Sequence, residues 1–393
     1  MYNNFMSKNV FLDYIDNYNI TNVQSSLEKA IFNLGLTDIF KPKMTVLIKA
    51  CLPYAVSPDT AETTHPSVVR AMVNILAEKG VKCIVADSPY KKYTLSNLEQ
   101  VYLNTGMLEV ANLTPCELNK NLKICKIDTP KGVMAKSLTL LDVVNEVDAI
   151  INIGKVKIDE NLGYLGVCAN MFGLVPGEKK TQILTRLNTL EDFNNYNLDI
   201  IQTVKDKLIL NILDGVVAME ANKSPRMLYC LGISENPYSL DASILDILDI
   251  DYQNSILQQA EQRELCNLDK IYKQIGVELN EFKVEDFALI ELNNSNSLHK
   301  NEKERNKNFK NLQARPVIEE KRCKGCSICS KICPTNAISM RYDKNGELYA
   351  EIDYKKCIYC YKCCIACPYS VAEKYHPAGY KAIEKEIKKY NEE

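Results

Sequence analysis

Along the first 250 residues, short apolar runs alternate with stretches whose apolar positions recur every three or four residues. "MTVLIKA" (44–50), "VKCIVAD" (81–87), "NLKICKI" (121–127), "VDAIINIGKVK" (147–157), "LILNILDGVVAM" (208–219) and "MLYCLGI" (227–233) read as strands. Between the first two, "HPSVVRAMVNILAEKG" reads as a helix with Pro66 in its first turn and Gly80 at its end. "TLSNLEQVYLNTG" reads as a second helix, closed by Gly106. The βαβ order predicts an α/β fold, a mainly parallel sheet covered by helices.

Beyond residue 292 the pattern changes. "NNSNSLHKNEKERNKNFKN" is polar and nearly free of apolar residues, so 293–316 reads as a linker or a solvated helix. "AISMRYDKNGELYAEID" reads as a hairpin turning at Asn345-Gly346. In the tail, Tyr380, Ile383, Ile387 and Tyr390 fall at helical spacing. The expected organisation is an α/β domain over 1–292, a linker over 293–316, a small α+β module over 317–376 and an amphipathic helix over 377–393.

The small module writes one cysteine phrase twice. Cys323, Cys326, Cys329 and Cys333 have the spacing C-x2-C-x2-C-x3-C-P, and Cys357, Cys360, Cys363 and Cys367 repeat it 34 residues later. "VIEEKRC" and "EIDYKKC" align at the same offset. This is the two-cluster bacterial ferredoxin pattern, in which the fourth cysteine of each string ligates the other cube. It predicts one [4Fe–4S] cluster on Cys323, Cys326, Cys329 and Cys367, and a second on Cys357, Cys360, Cys363 and Cys333. Paired zinc sites would favour two separated CxxC pairs over a triplet-plus-one phrase. Cys364 breaks the spacing and reads as a small buried residue.

Composition fits this picture. The chain has 393 residues, 46% apolar and 25% charged, enough for a full core. No apolar run reaches the roughly 18 residues of a spanning helix. The N-terminal stretch has no apolar core of signal-peptide length, so a cytoplasmic protein is expected. Sixteen cysteines then favour metal ligation over disulfides. Cys51, Cys83, Cys168 and Cys230 are irregularly spaced and read as buried thiols. Residues 1–292 carry 28 Lys+Arg and 37 Asp+Glu, a balance of −9, whereas 317–376 carry 10 and 7, a balance of +3. Two oxidised cubes would bring the module to about −1. Lys321, Lys324, Lys331, Lys355, Lys356 and Lys362 would offset the cluster charge, and the acidic domain would be the nearest surface on which such a module could dock. No strongly basic domain points to nucleic acid.

In parallel α/β sheets, ligands gather at the carboxyl ends of strands. There the sequence places Asp87 with Ser88, then Lys155 and Lys157 at alternate positions of one strand, then Glu220 and Asn222. Thr64 and His65 precede the helix at Pro66, whose free N–H groups suit an anion. These residues are candidates for a small anionic substrate. Thr64 also fits a helix cap, Asp87 and Asp214 fit turn caps, and the lysines fit a solvated strand end. His65 reads as a cap or surface residue. There is no G-x-G-x-x-G, Walker loop or G-x-S-x-G.

The phrases "TTHPSVVRAMVNILAEKGVKCIVADSP", "VDAIINIGKVK", "NMFGLVPGEKK" and "ILDGVVAMEAN", in that order, resemble the family called domain of unknown function 362. The resemblance covers roughly residues 40–250 and extends to the cysteine module, since members are often fused to a two-cluster ferredoxin. It implies an iron–sulfur protein with an α/β domain. The family's usual histidine after the paired lysines is Asp159 here, and "NKSP" (222–225) replaces its usual glycine–proline pair.

Three readings stay open. The first is an oxidoreductase passing electrons between two [4Fe–4S] clusters and a small anionic substrate. The second is a ferredoxin-like carrier whose α/β domain docks a redox partner protein, and the third is a redox-sensing binding module. All three require that anaerobically isolated protein carry about eight iron and eight acid-labile sulfide per chain. Metal and sulfide analysis checks this, and stoichiometric zinc in their place would overturn the cluster assignment.

Overall fold

The structure, a computed structural model, describes residues 8–289 and 315–375, apart from 185, 285, 286, 334, 358–361 and 370. The expected C-terminal helix, Cys360 and most of the expected linker lie outside the described residues. The chain divides into two compact units, Met1–Lys300 and Asn301–Glu393.

The strands of the first unit are Asn9–Tyr14 (β1), Thr45–Ala50 (β2), Lys82–Ala86 (β3), Cys116–Leu118 (β4), Ile124–Asp128 (β5), Ser137–Leu141 (β6), Ala149–Asp159 (β7), Gly163–Leu165 (β8), Leu208–Met219 (β9), Pro225–Ser234 (β10) and Lys273–Gly276 (β11). Nine form one sheet in the order β11-β1-β10-β9-β7-β2-β3-β4, with β8 paired to the end of β7. From β9 to β4 every neighbour is parallel, and β10 runs antiparallel to β9 and β1. The fold is therefore α/β with a mainly parallel, mixed sheet. Central β7 is buried along its whole length except Asp159, because helices cover both faces.

Helix Pro66–Glu78 shows how sequence becomes packing. Pro66 occupies the first turn, where its missing N–H costs nothing. The helix buries Val68, Val69, Met72, Val73, Ile75 and Leu76 and ends at Gly80, whose φ of +70° suits glycine. Its N-cap is His65, whose Nδ1 accepts from Ser67 N at 3.2 Å. The "NLKICKI" run departs from expectation. It pairs antiparallel with β6 in a separate two-stranded sheet, and β4 takes the sheet edge beside β3. The alternating exposure of β5 explains this, since a strand wet on one face cannot lie within a sheet covered on both.

The second unit contains Arg315–Ile318 (β12), Ile338–Tyr342 (β13), Leu348–Ile352 (β14) and Ala372–Tyr375 (β15). β12 pairs with β15 and β13 with β14, both antiparallel. β12 starts at Arg315, inside the segment that reads as linker. Gly346, at φ +80°, turns the β13–β14 hairpin. Among the described residues, no helix is long and apolar enough to cross a membrane.

A buried carboxylate ties two elements of the first unit. Asp241, fully buried on helix Pro237–Ile247, accepts from Val167 N at 2.8 Å, Cys168 N at 3.0 Å and Tyr164 OH at 3.1 Å. Burial raises its pKa against the pull of these bonds. Gly166 has no room for a Cβ beside Asp241. Asp241→Ala would leave three buried donors unpaired, an expected loss on the order of 3 kcal/mol or more, and Asp241→Asn should cost less. Denaturant midpoints of the two variants check the ranking.

Candidate functional site

Charge converges at the carboxyl ends of β2, β3, β7 and β9, in an interior that excludes water. Lys49, near the end of β2, is fully buried, and its Nζ lies 3.1 Å from Asp87 Oδ1, just past β3. The same Nζ donates to Ala50 O at 2.7 Å and Asn170 Oδ1 at 3.1 Å. Asp87 also accepts from Leu52 N and Ser88 N, so it pins the backbone after two adjacent strands. Gly173 presses against this pair, and a Cβ there would collide with Asp87 Oδ1 and Lys49 Nζ.

A second ion pair lies between β7 and β9. Lys155 and Asp214 are register partners, and their Nζ–Oδ2 distance is 3.0 Å. Tyr18 OH donates to Asp214 Oδ1 at 2.6 Å and accepts from Lys155 Nζ at 2.8 Å. Burial and then the Asp214 carboxylate hold the phenol well above its ordinary value, so it keeps its proton. The Tyr18 ring stacks on His65 with centroids 3.6 Å apart, and His65 N donates to Asp214 Oδ2 at 2.9 Å. Burial pushes His65 down to about 4, so its imidazole is neutral at neutral pH.

The third pair joins Lys157 to Glu62 at 3.6 Å, with Lys157 Nζ also donating to the Glu62 carbonyl at 3.1 Å. A fourth lysine, Lys180, is 2% exposed. Its Nζ donates to Ser88 O and sits 4.8 Å from the Tyr90 ring centroid and 5.8 Å from that of Phe172. Among the described residues no carboxylate lies within ion-pair distance of it. Burial pushes it down to about 8, against the pull of Asp87. Asparagines complete the polar floor. Asn170 Nδ2 donates to Asn152 Oδ1 at 2.8 Å, and Asn152 Nδ2 donates to Asn211 Oδ1 at 3.0 Å.

Of the residues singled out from sequence, Asp87, Lys155 and Lys157 meet here, the lysines in ion pairs rather than at a solvated strand end. Thr64 is not the cap. Its Oγ1 donates to Ile153 O and accepts from Cys51 N, both at 2.9 Å, clamping the loop to β7. The helix N-terminus offered to an anion is occupied from within the chain, by the His65 side chain and by Asp214. Glu220 stands apart, accepting from Ala288 N at 3.2 Å and Asn222 Nδ2 at 3.4 Å. Asp159 shapes the β7–β8 turn through Asn161 N and Leu162 N. Cys51, Cys83, Cys168 and Cys230 are buried thiols. Sequence reasoning missed Lys49, Glu62, Tyr18 and Lys180. Lys49 had a signal, a lone charge inside an apolar strand.

In the second unit, Cys323, Cys326, Cys329 and Cys367 line one hollow, with Ile318, Ala350 and Val371. The loop is bent by Gly325 and Ser327, both at left-handed φ, before Cys329 enters helix Ile328–Ile332. Cys329 and Cys363 pack with Ile338 and Ala350, and Cys323, Cys333 and Cys364 adjoin them. Cys333 Sγ accepts from Ala337 N at 3.2 Å. Four sulfurs around one hollow match the number of thiolates that hold one [4Fe–4S] cube.

Comparison with known proteins agrees. A 4Fe-4S dicluster domain matches residues 322–371, making this an iron–sulfur protein with an electron-transfer role. The chain is 37% identical over 68 residues to NADH-quinone oxidoreductase subunit I 2 of Geobacter metallireducens, covering 16% of this chain and 51% of that protein. It is 27% identical over 267 residues to the thylakoid-associated protein sll1697 of Synechocystis sp., covering 66% and 80%. A solved structure of the lactate racemase apoprotein from Thermoanaerobacterium thermosaccharolyticum superposes with a TM-score of 0.39 at 14% identity, covering 61% of this chain and 57% of that one. Residues 46–246, more than half of the chain, match the model described as Domain of unknown function (DUF362), and the chain belongs to that family.

Proposed function

We propose that the protein is an iron–sulfur oxidoreductase acting on a small anionic substrate held at the charged strand ends of the α/β unit. Two [4Fe–4S] clusters would be held by Cys323, Cys326, Cys329 and Cys367, and by Cys357, Cys360, Cys363 and Cys333. Such a cluster exchanges one electron at a time, at a potential set by charge, hydrogen bonds and exposure. The chain supplies those settings. Ala337 N–H points at Cys333 Sγ, and six lysines near the strings offset thiolate and cluster charge.

The observation that carries the substrate reading is the burial of four lysines and three carboxylates at one end of a parallel sheet. Buried ion pairs rarely add stability over apolar packing, so a concentration of them at the usual ligand-binding end favours a working site. Within it burial and Asp214 keep the proton on Tyr18 Oη, His65 stays neutral, and Asn170 holds Lys49 in place. The second reading, a carrier for a protein partner, is favoured by the similarity to a subunit of a larger oxidoreductase.

The test uses anaerobically purified, dithionite-reduced protein mixed with a panel of small carboxylates and oxoanions, following cluster reoxidation by absorbance. One or more is expected to reoxidise it, at two electrons per chain. Lys157→Gln should slow that reaction at least tenfold with iron content unchanged. Reoxidation by protein partners alone, indifferent to Lys157→Gln, would sink the enzyme reading in favour of the carrier.

A further inference from the structure

The three carboxylates of the charged cluster are each taken. Asp87 faces Lys49, Asp214 faces Lys155 and Glu62 faces Lys157, at 3.1, 3.0 and 3.6 Å. His65 adds no charge at neutral pH. Lys180 is therefore a single excess positive charge in a dry interior. An ammonium has three N–H donors, and one of them meets Ser88 O. The faces of Tyr90 and Phe172 offset part of the desolvation, as aromatic faces do for cations, but they do not neutralise charge.

A second, independent defect sits on the very residue that holds this amine. Ser88 is fully buried, and its Oγ makes no hydrogen bond among the described residues. Its other polar groups are satisfied, since its N–H donates to Asp87 Oδ1 at 2.7 Å and its carbonyl receives Lys180. Buried hydroxyls without partners are uncommon in folded proteins, and each asks for an explanation. Lys180 Nζ keeps N–H donors beyond the one on the Ser88 carbonyl, and the hydroxyl of that same residue has its donor and its lone pairs unmet.

We infer that Lys180 and Ser88 form the binding point for the carboxylate of a small monoanionic ligand. The inference rests on the proposed function's reading of this strand end and names the class of ligand. A carboxylate offers two oxygens, one for Nζ and one for Oγ–H, and its single charge neutralises the one excess cation. A phosphate dianion would leave the interior net negative, which a water-free site disfavours. Tyr90 covers Nζ and is itself part-exposed, stacked on part-exposed Tyr54 at 5.5 Å, so a ligand would arrive from that side. The ring faces would then flank its apolar portion.

Equilibrium dialysis of radiolabelled acetate and propionate against the full-length anaerobic protein tests this, with phosphate as competitor. One carboxylate per chain is expected, undisplaced by equimolar phosphate, with affinity at least tenfold weaker in Lys180→Met and clearly weaker in Ser88→Ala. Thermal unfolding supplies the second readout. Lys180→Met removes an unbalanced charge, so it should unfold at the same temperature as the wild type or higher. A drop in unfolding temperature with carboxylate affinity unchanged would make Lys180 structural and overturn the inference. So would wild-type protein that binds neither acid, or that prefers phosphate. Should carboxylates bind at Lys180 yet none reoxidise the reduced protein, the redox reading fails and this site stands. Should another anion reoxidise Lys180→Met as fast as wild type, the reverse holds.

Discussion

Buried aspartates gripping loop backbone are the constraint on which the large unit depends. Asp214 on β9 takes His65 N, Tyr18 OH and Lys155 Nζ, joining segments separated by 149 and 196 residues in sequence. Asp87 takes two backbone N–H groups and Lys49. Asp199 takes three consecutive N–H groups, those of Val133, Met134 and Ala135, and pairs with Arg263 at 2.8 Å. Each carboxylate satisfies donors that a loop crossing a strand end would otherwise leave unpaired. Removing one partner strands a charge in a low-dielectric interior, so each set forms as a whole or fails as a whole. Gly166 and Gly173 follow from this, because the chain must pass against Asp241 and Asp87 with no space for a side chain.

This constraint also explains what was legible from sequence. Strands β7 and β9 could be read because both faces are covered, which demands long apolar runs, and β9 begins and ends where the pattern does. The helix at Pro66 could be read because its start and stop chemistry is local. β1, "NVFLDY", has an apolar run too short to separate from its surroundings, and only its pairing with β10 and β11 makes it a strand. Among site residues, Lys155 and Lys157 announced themselves by alternation. Their partners did not, since nothing local to Tyr18 or Glu62 points at a lysine more than ninety residues away. Thr64, a candidate for the substrate that also fits a cap, instead bonds Ile153 O, a tertiary contact that outweighs the local preference. Glu220 lies past the end of β9, where its carboxylate binds Asn222 in its own turn and the backbone of Ala288, 68 residues on.

The two units solve the problem of polar groups in opposite ways. The first has a single large apolar core and sets charge into it. Among the described residues the second has a core cluster of Cys329, Ile338, Ala350 and Cys363, far smaller than that of the first. Two of the cysteines proposed as ligands, Cys329 and Cys363, are core positions, so cofactor assembly and folding would be coupled there. Cys326 is exposed while Cys329 and Cys363 are buried, which sets one rim of the hollow toward solvent.

That contrast fits a division of chemistry. Single electrons pass between surfaces, so a cluster-bearing module gains from a solvent-facing rim and from lysines that moderate its charge. A small anion, by contrast, is held and polarised best where water is absent, because each fixed charge acts more strongly in a low dielectric. On the proposed reading the large unit would provide such a place, and it buries four lysines there. Three are balanced by the fold's own aspartate and glutamate side chains. The fourth is balanced by nothing within the described chain, and a fold that compensates its buried charge so consistently elsewhere leaves one cation open where an outside anion would complete the set.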